Sequence, residues 1–412
     1  MAHLLMIESW LGGNAVLLPP LLRQLGHTYT FITRSKDIYP NTSDGIHPVV
    51  RYADTLLEMN TNDVSVILDS LPNVKYDGVI TTCDYYIGIV SEVADKLGIP
   101  CPFPKKVENV RYKHKLRKAL DAAGIPNTKY ALANNWDDIV TAAESIGYPL
   151  VLKPVDLSSS AFVRLITNQN ELRDAFETLD AFPKNWRDQE RDCTFLLEEY
   201  MVGDEVSVEA LTFQGVTTVI GITQKSVTGT PYFIEDGHMF PADFSDSVKS
   251  EISTYVVNAL QAAEYDHGVS HTEVKLTNEG LRIVEINPRT AGDHITELVE
   301  FVYGISILNA FVDFSLGLKP NTTKQQTDIT SACVKFLTLP RGGKIVKMEG
   351  AETLQNNINV ISYEVDECVG KIVEAPIDNT GRYGRIMTKD AQGYNALKYA
   401  QEAASQIKLT FE

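Results

Sequence analysis

Over the first hundred residues the apolar positions alternate between two patterns. HLLMIES, TYTFIT and YDGVITT are short apolar runs that read as buried strands. LLRQLG, VSVILDSL and IGIVSEVADKLGI carry apolar residues at helical spacing, the first stopped by Gly26. Strand–helix alternation predicts a doubly wound parallel sheet with ligands at the carboxyl ends of its strands. Gly12, Gly13, Asn14 and Thr81 to Asp84 fall at such ends. A complete G-x-G-x-x-G is absent, which argues against a dinucleotide site.

Pro100, Pro102 and Pro104 mark a boundary. Beyond it the pattern predicts a basic helix over VENVRYKHKLRKALDAAGIP, a strand at TKYALA, a helix at WDDIVTAAESIGY and a strand–loop–strand through YPLVLKPVDLSSSAFVRLI. A helix at ELRDAFETLDAF, strands about Gly203-Asp204 and at GVTTVIGITQK, and an amphipathic helix with Val256, Leu260 and Ala263 on one stripe follow. Phe233 to Pro241, FIEDGHMFP, reads as a loop. ITELVEFVYGISILNAFVDFSLG is helical, and Glu297, Glu300 and Asp313 argue against a membrane span. KPNTTKQQTD reads as a linker, and the remainder as a small α+β domain closing with a helix from Gly393 to Ile407. The expected domains are 1–104, 105–320 and 321–412.

Between the amphipathic helix and the apolar one, Ser270 to Thr296 reads as two strands joined at Thr277-Asn278-Glu279-Gly280. A turn symmetric about Glu279 sets Glu273 opposite Glu285, with Cβ atoms roughly 5 Å apart. Two carboxylates that close repel unless a cation lies between them. Mg²⁺, or Mn²⁺ in its place, is the natural candidate, with the Asn287 amide oxygen as third ligand and Arg289 just beyond Pro288.

Composition narrows the class. The chain has 412 residues, 44% hydrophobic and 22% charged, ordinary for a soluble protein of several domains. A net charge of −17 without a basic stretch disfavours a nucleic-acid partner. Five scattered cysteines suggest a reducing compartment, and the N-terminus lacks the features of a signal peptide, so a cytoplasmic enzyme without membrane partners is expected.

Four signals stand in order. Lys113 and Arg117 lie one helical turn apart; Lys153 ends an apolar strand before a loop of small residues; Glu198-Glu199-Tyr200-Met201 ends another strand before Gly203 and Glu205; and Glu273 precedes Glu285-Ile286-Asn287-Pro288-Arg289. Together they resemble the ATP-grasp superfamily of carboxylate–amine ligases, and the layout is most similar to the L-amino-acid ligases that form dipeptides. GGKIVKMEG and GRYGRIM are similar to the terminal domain of those enzymes. The resemblance implies an ATP-grasp fold, α/β and α+β, between the parallel-sheet domain and the C-terminal domain.

The resemblance also implies roles. Lys113 and Lys153 would hold phosphates, with Ser158, Ser159 and Ser160 folding over them where the family usually carries glycines. Glu198 and the main chain of Glu199, Tyr200 and Met201 would hold adenine, and Glu205 the ribose. Glu273, Glu285 and Asn287 would hold the metal, and Arg289 would meet the acyl phosphate. Glu235 and His238 are candidates for the substrate pocket, Asp293 and His294 for orienting an amine, and Lys225 for phosphate or carboxylate. ATP and Mg²⁺ are the implied cofactors, and a small carboxylate and an amine the implied partners; a homodimer is only the general expectation for a soluble enzyme. A carboxylase or purine-type ligase, a nucleotide-binding regulator without catalysis and an oxidoreductase stay open as alternatives.

Overall fold

A computed structural model describes residues 1–42, 45–228, 234–376 and 379–412. The N-terminal part runs β1 (His3–Ile7), α1 (Asn14–Gln24), β2 (Thr28–Thr33), α2 (Pro48–Arg51), β3 (Thr55–Glu58), α3 (Val64–Ser70), β4 (Gly78–Ile80) and α4 (Ile87–Leu97). Its four strands are parallel in the order β3-β2-β1-β4. β1 is an unbroken apolar run because helices cover both faces of such a sheet. β3 had no expectation in the sequence pattern: it is four residues long and Thr55 and Glu58 are exposed.

Next come α5 (Glu108–Arg111), α6 (Lys113–Ala122), β5 (Tyr130–Ala133), α7 (Trp136–Ile146), β6 (Leu150–Pro154), β7 (Arg164–Ile166), α8 (Gln169–Asp180) and β8 (Phe195–Glu199). The strands form an antiparallel sheet in the order β5-β8-β6-β7. The basic helix expected over 107–126 is broken at Tyr112, whose backbone is extended at φ −99°, ψ 112°. The Lys113 N–H then leaves the helix and bonds Val155 O at 3.0 Å, so the break seats Lys113 at a helix start against β6.

β9 (Gly203–Phe213), β10 (Val216–Thr228), β11 (Ile234–Phe240), α9 (Asp246–Ala262), β12 (Gly268–Thr277), β13 (Gly280–Asn287), α10 (Ile295–Tyr303) and α11 (Ile307–Ser315) follow. The chain closes with β14 (Ser331–Thr338), β15 (Gly343–Glu349), β16 (Val360–Val365), β17 (Ile372–Val373), β18 (Arg382–Asp390), α12 (Ala396–Gln406) and β19 (Lys408–Phe411). An antiparallel sheet of eight strands runs β13-β12-β9-β10-β11-β14-β18-β16, and a small one β17-β15-β19. The chain described therefore finishes on a strand and not on the helix expected from 393.

FIEDGHMFP is not a loop. Phe233 lies outside the described residues, and the rest is mostly β11, hydrogen-bonded between β10 and β14. Its acidic residues hid a buried strand because their neutralising partners, Lys225, Lys335 and Arg382, come from other elements. The apolar stretch 295–317 is two helices bent by 107° at residues 304–306, where Gly304 takes a left-handed φ of 62°. Among the described residues no single helix is long and apolar enough to cross a membrane.

The hairpin pairs Glu273 with Glu285, as expected, but by another route. Its loop is only Asn278-Glu279, because Thr277 pairs with Gly280 and Val274 with Ile283. A register shift between Glu273 and Val274 leaves Val284 as the extra residue and restores the alignment of the two carboxylates.

Candidate active site

The hairpin lays its acidic residues on one face of the large sheet. Glu285 Oε1 accepts from Asn287 Nδ2 at 2.7 Å, and its Oε2 lies 3.2 Å from Lys113 Nζ. Glu273 Oε1 lies 2.7 Å from Lys225 Nζ and 3.4 Å from His271 Nε2. Burial favours the protonated acid at both positions; Lys113 at Glu285, and Lys225 with His271 at Glu273, reverse that and hold both groups below the ordinary carboxylate value. Two half-buried carboxylates and an amide oxygen form a hard, all-oxygen donor set, which fits Mg²⁺. The tightest carboxylate trio beside it, Glu205, Glu235 and Glu273, already encloses Lys225 Nζ at 2.8, 2.6 and 2.7 Å.

Lys153 and Lys113 converge on this floor from the smaller sheet and α6. Lys153 Nζ contacts Glu198 Oε2 at 2.5 Å, while Lys113 Nζ donates to Leu157 O at 2.8 Å. Glu198 departs from its expected role. Its carboxylate is buried, Oε1 accepts from Arg117 Nε at 2.6 Å and Oε2 is taken by Lys153. Burial would raise its pKa, yet Arg117 and Lys153 bring it down to about 2. Glu198 anchors two cations from behind, with both carboxylate oxygens engaged. Arg117, fully buried, also donates to Ile283 O at 2.8 Å and Val284 O at 2.9 Å, so it ties α6, β8 and the bulge of β13 together. Its position one turn after Lys113 was the only sign of it in the sequence.

Ser158, Ser159 and Ser160 lie in the β6–β7 loop. Ser159 and Ser160 take φ of 58° and 55°, the left-handed region that glycine enters without cost. The cleft lined by Asp84, Lys113, Ser158, Glu285 and Asn287 has a volume of about 10 Å³. That is roughly the space of one water. Glu199 Oε1 accepts from Lys129 N at 2.8 Å and Thr128 Oγ1 at 3.2 Å, which fixes it to the start of β5. The Tyr200 N–H bonds Pro149 O at 3.4 Å, and Met201 lies half-buried in the link from β8 to β9. Glu205 is held by Lys225 at 2.8 Å and Lys275 at 3.2 Å, so it belongs to the carboxylate cluster beside Glu273.

Beyond Arg289 the site turns acidic. Arg289 Nε donates to Asp84 Oδ1 at 2.7 Å, which brings a residue just past β4 to the hairpin; although burial opposes it, Asp84 and Glu285 hold the guanidinium above its usual value. Asp293 accepts both Nη groups of Arg382 at 2.9 Å and lies 3.3 Å from His238 Nε2. Despite its burial, His238 and Arg382 hold its carboxyl far below the usual range. The Glu235 carbonyl accepts from Arg382 Nη2 at 2.8 Å. Arg382 was not singled out in the sequence, although the GRYGRIM stretch contains it. His294 is drawn elsewhere: it precedes α10 and pairs with Glu297 through Nδ1. The structure thus gathers Glu235, His238 and Asp293 and leaves His294 apart.

Paired carboxylates on the large sheet, with Lys153 of the smaller sheet and Lys113 of α6 beside them, are the arrangement that the sequence resemblance implies for an ATP-grasp nucleotide site. The ATP-grasp domain model matches residues 146–297, and the L-amino acid ligase C-terminal domain 2 model matches residues 335–412. The chain carries an ATP-grasp domain followed by an L-amino acid ligase C-terminal domain. An alanine–anticapsin ligase of Bacillus subtilis (strain 168) is 25% identical over 304 residues, covering 68% of this chain and 63% of that protein. An L-arginine-specific L-amino acid ligase of Bacillus subtilis is 23% identical over 350 residues, covering 83% of this chain and 81% of that protein. The chain spans 63–66% of the length of the first curated relatives it matches. The crystal structure of an L-amino acid ligase from Bacillus licheniformis superposes with a TM-score of 0.82 at 20% identity, covering 100% of this chain and 99% of that one. A phosphoribosylglycinamide synthetase from Anaerococcus prevotii superposes at 0.70 and 16% identity, covering 100% of both chains.

Proposed function

We propose that the chain is an ADP-forming ligase that joins an amino-acid carboxylate to the amine of a second amino acid. The observation that carries this reading is the position of Arg289. It follows Asn287 by two residues and precedes Asp293 by four, and Asp84 holds its Nε at 2.7 Å. A free carboxylate is a poor acyl donor. Attack of its oxygen on the γ-phosphorus of ATP gives an acyl phosphate with ADP as leaving group, and attack of the amine on the acyl carbon then expels phosphate as the amide forms.

Lys113 and Lys153 would supply point charges to the phosphates. Glu273, Glu285 and Asn287 would hold Mg²⁺, which would supply charge neutralisation at the phosphates. Arg289, always charged and oriented by Asp84, would face the oxyanion of the acyl centre. Glu235 and Asp293, with Arg382 and His238 beside them, would meet the polar ends of the amino-acid substrates, and the β6–β7 loop would exclude water from the acyl phosphate. The L-amino acid ligase C-terminal domain and the dipeptide-type relatives support this reading over a carboxylase.

The test is a matrix of amino-acid pairs assayed for phosphate release, with mass detection of products. The expected result is release stimulated by a defined pair, with a product of matching mass. Phosphate release that no pair stimulates would overturn the reading. Glu285→Ala is expected to abolish turnover in a folded protein, and Arg289→Ala to slow ligation about 10²-fold while sparing nucleotide binding.

A further inference from the structure

On the face of the sheet that carries Glu273, one row deeper, lies a second charged pair. His271 precedes Glu273 by two residues on β12 and so shares its face, and Glu209 is the direct partner of His271 on β9. Both are buried, at 1% and 5% exposure for Glu209 and His271. Ser207 Oγ donates to Glu209 Oε1 at 2.9 Å; the same oxygen lies 2.9 Å from His271 Nδ1; and His271 Nε2 lies 3.4 Å from Glu273 Oε1. Ser207, Glu209, His271 and Glu273 are thus one polar chain ending on a carboxylate of the hairpin.

Packing does not ask for this chain. Two residues along β9 on the same face, Leu211 is an ordinary member of the apolar core. A carboxylate buried in such a sheet is costly unless fully paired, and Glu209 Oε2 has no hydrogen-bond partner among the described residues. What the pair does achieve is at Glu273: His271 and Lys225 both approach Oε1, which fixes the rotation of the carboxylate and leaves Oε2 for another partner. Without His271, Lys225 alone would hold Glu273 and draw it toward Glu205 and Glu235, away from Glu285.

We propose that Glu209 and His271 are positioning residues that orient Glu273 toward a divalent cation. This rests on the reading of Glu273 and Glu285 as metal ligands.

The test uses the full chain with saturating ADP and follows Mg²⁺ binding by calorimetry, with thermal unfolding in EDTA as the measure of folding. His271→Gln and Glu209→Gln are expected to raise the Mg²⁺ concentration at half-saturation about 10- to 100-fold, the range typical when partners of metal ligands are removed. Glu209→Gln is isosteric and keeps the test alive if His271→Gln does not fold. A lowered unfolding temperature with an unmoved Mg²⁺ midpoint means a purely structural pair and overturns the proposal. Glu285→Gln serves as control. If it shifts the midpoint and neither positioning variant does, this inference alone fails; if it too leaves the midpoint unmoved, the metal-site reading fails and the inference with it.

Discussion

Arg289 Nε donates to Asp84 Oδ1 at 2.7 Å, joining the end of β13 to the carboxyl end of β4 across 205 residues of chain. The Asp84 carbonyl also accepts from Arg111 Nε at 3.1 Å, and Arg111 Nη2 reaches Asp156 O at 2.6 Å at the end of β6. One turn of the N-terminal domain therefore touches the proposed oxyanion group directly and the loop that covers it through Arg111.

Asp84→Asn keeps the shape of this contact and removes its charge. Since misplacing a catalytic group by about an ångström costs roughly 10²-fold in rate, kcat for ligation is expected to fall by about that factor. The ATP concentration at half-maximal rate should change little. Steady-state phosphate release separates the two, and a change confined to ATP affinity would remove Asp84 from the acyl end of the site.

Arg117→Lys replaces a planar fork by a point charge. The fork serves Glu198 and two carbonyls of β13 at once, all out of solvent. A lysine satisfies one of these at most, and breaking a buried pair costs about 3–5 kcal/mol. Urea unfolding should show a loss of this size; a loss below about 1 kcal/mol would mean that the contacts are replaced by water.

The parallel sheet and the hairpin were legible because their signals are local: unbroken apolar runs in β1 and β2, and period-two alternation around Glu273 and Glu285. β11 was not, because Glu235, Asp236 and His238 look solvated until Lys225, Lys335 and Arg382 arrive from strands up to 147 residues away. The same reason hid the job of Glu198. A strand-end carboxylate reads as a ligand contact, and only the packing of α6 against β8 shows that Arg117 and Lys153 use both oxygens. The Glu273–Glu285 alignment came out right although the turn did not, since the Val284 bulge offsets a loop one residue shorter than expected.

Glu198 also sets an acid limit on stability. Its pKa is about 2 in the folded chain against an ordinary 4.5. A depressed carboxylate stabilises fully above the unfolded value and loses that contribution as pH falls through the folded one. Urea midpoints should therefore drop between pH 4.5 and 2. Glu198→Gln leaves Lys153 and Arg117 buried without their counter-charge, so it should be much less stable at neutral pH. The gap to the unaltered chain should narrow on acidification; a constant gap would show that Glu198 does not titrate differently on folding.

The arm between α8 and β8 reaches across to the N-terminal sheet. Arg187 Nη2 donates to Ser9 O at 2.6 Å, its Nη1 lies 3.7 Å from Glu8 Oε2, and Asn62 Nδ2 donates to Arg187 O at 2.8 Å. Glu8 is fully buried and also accepts from Thr33, Tyr39 and Thr61, so it keeps partners when Arg187 is removed. Beside it Trp186 meets Phe162, Phe182 and Tyr85 at ring separations of 4.9–6.3 Å, which links the β6–β7 loop to the N-terminal sheet. The Arg34–Asp188 pair nearby has an exposed Asp188 and should matter little. Arg187→Met retains much of the apolar stem and removes the charged fork, so it should release the arm without unfolding the sheet. An arm that opens more often admits water to the acyl phosphate. The expected result is a several-fold rise in phosphate released per amide formed, with Arg34→Ala near the unaltered ratio. A ratio that stays constant in Arg187→Met while its unfolding temperature falls would show that Arg187 holds the fold together and does not keep water from the reaction.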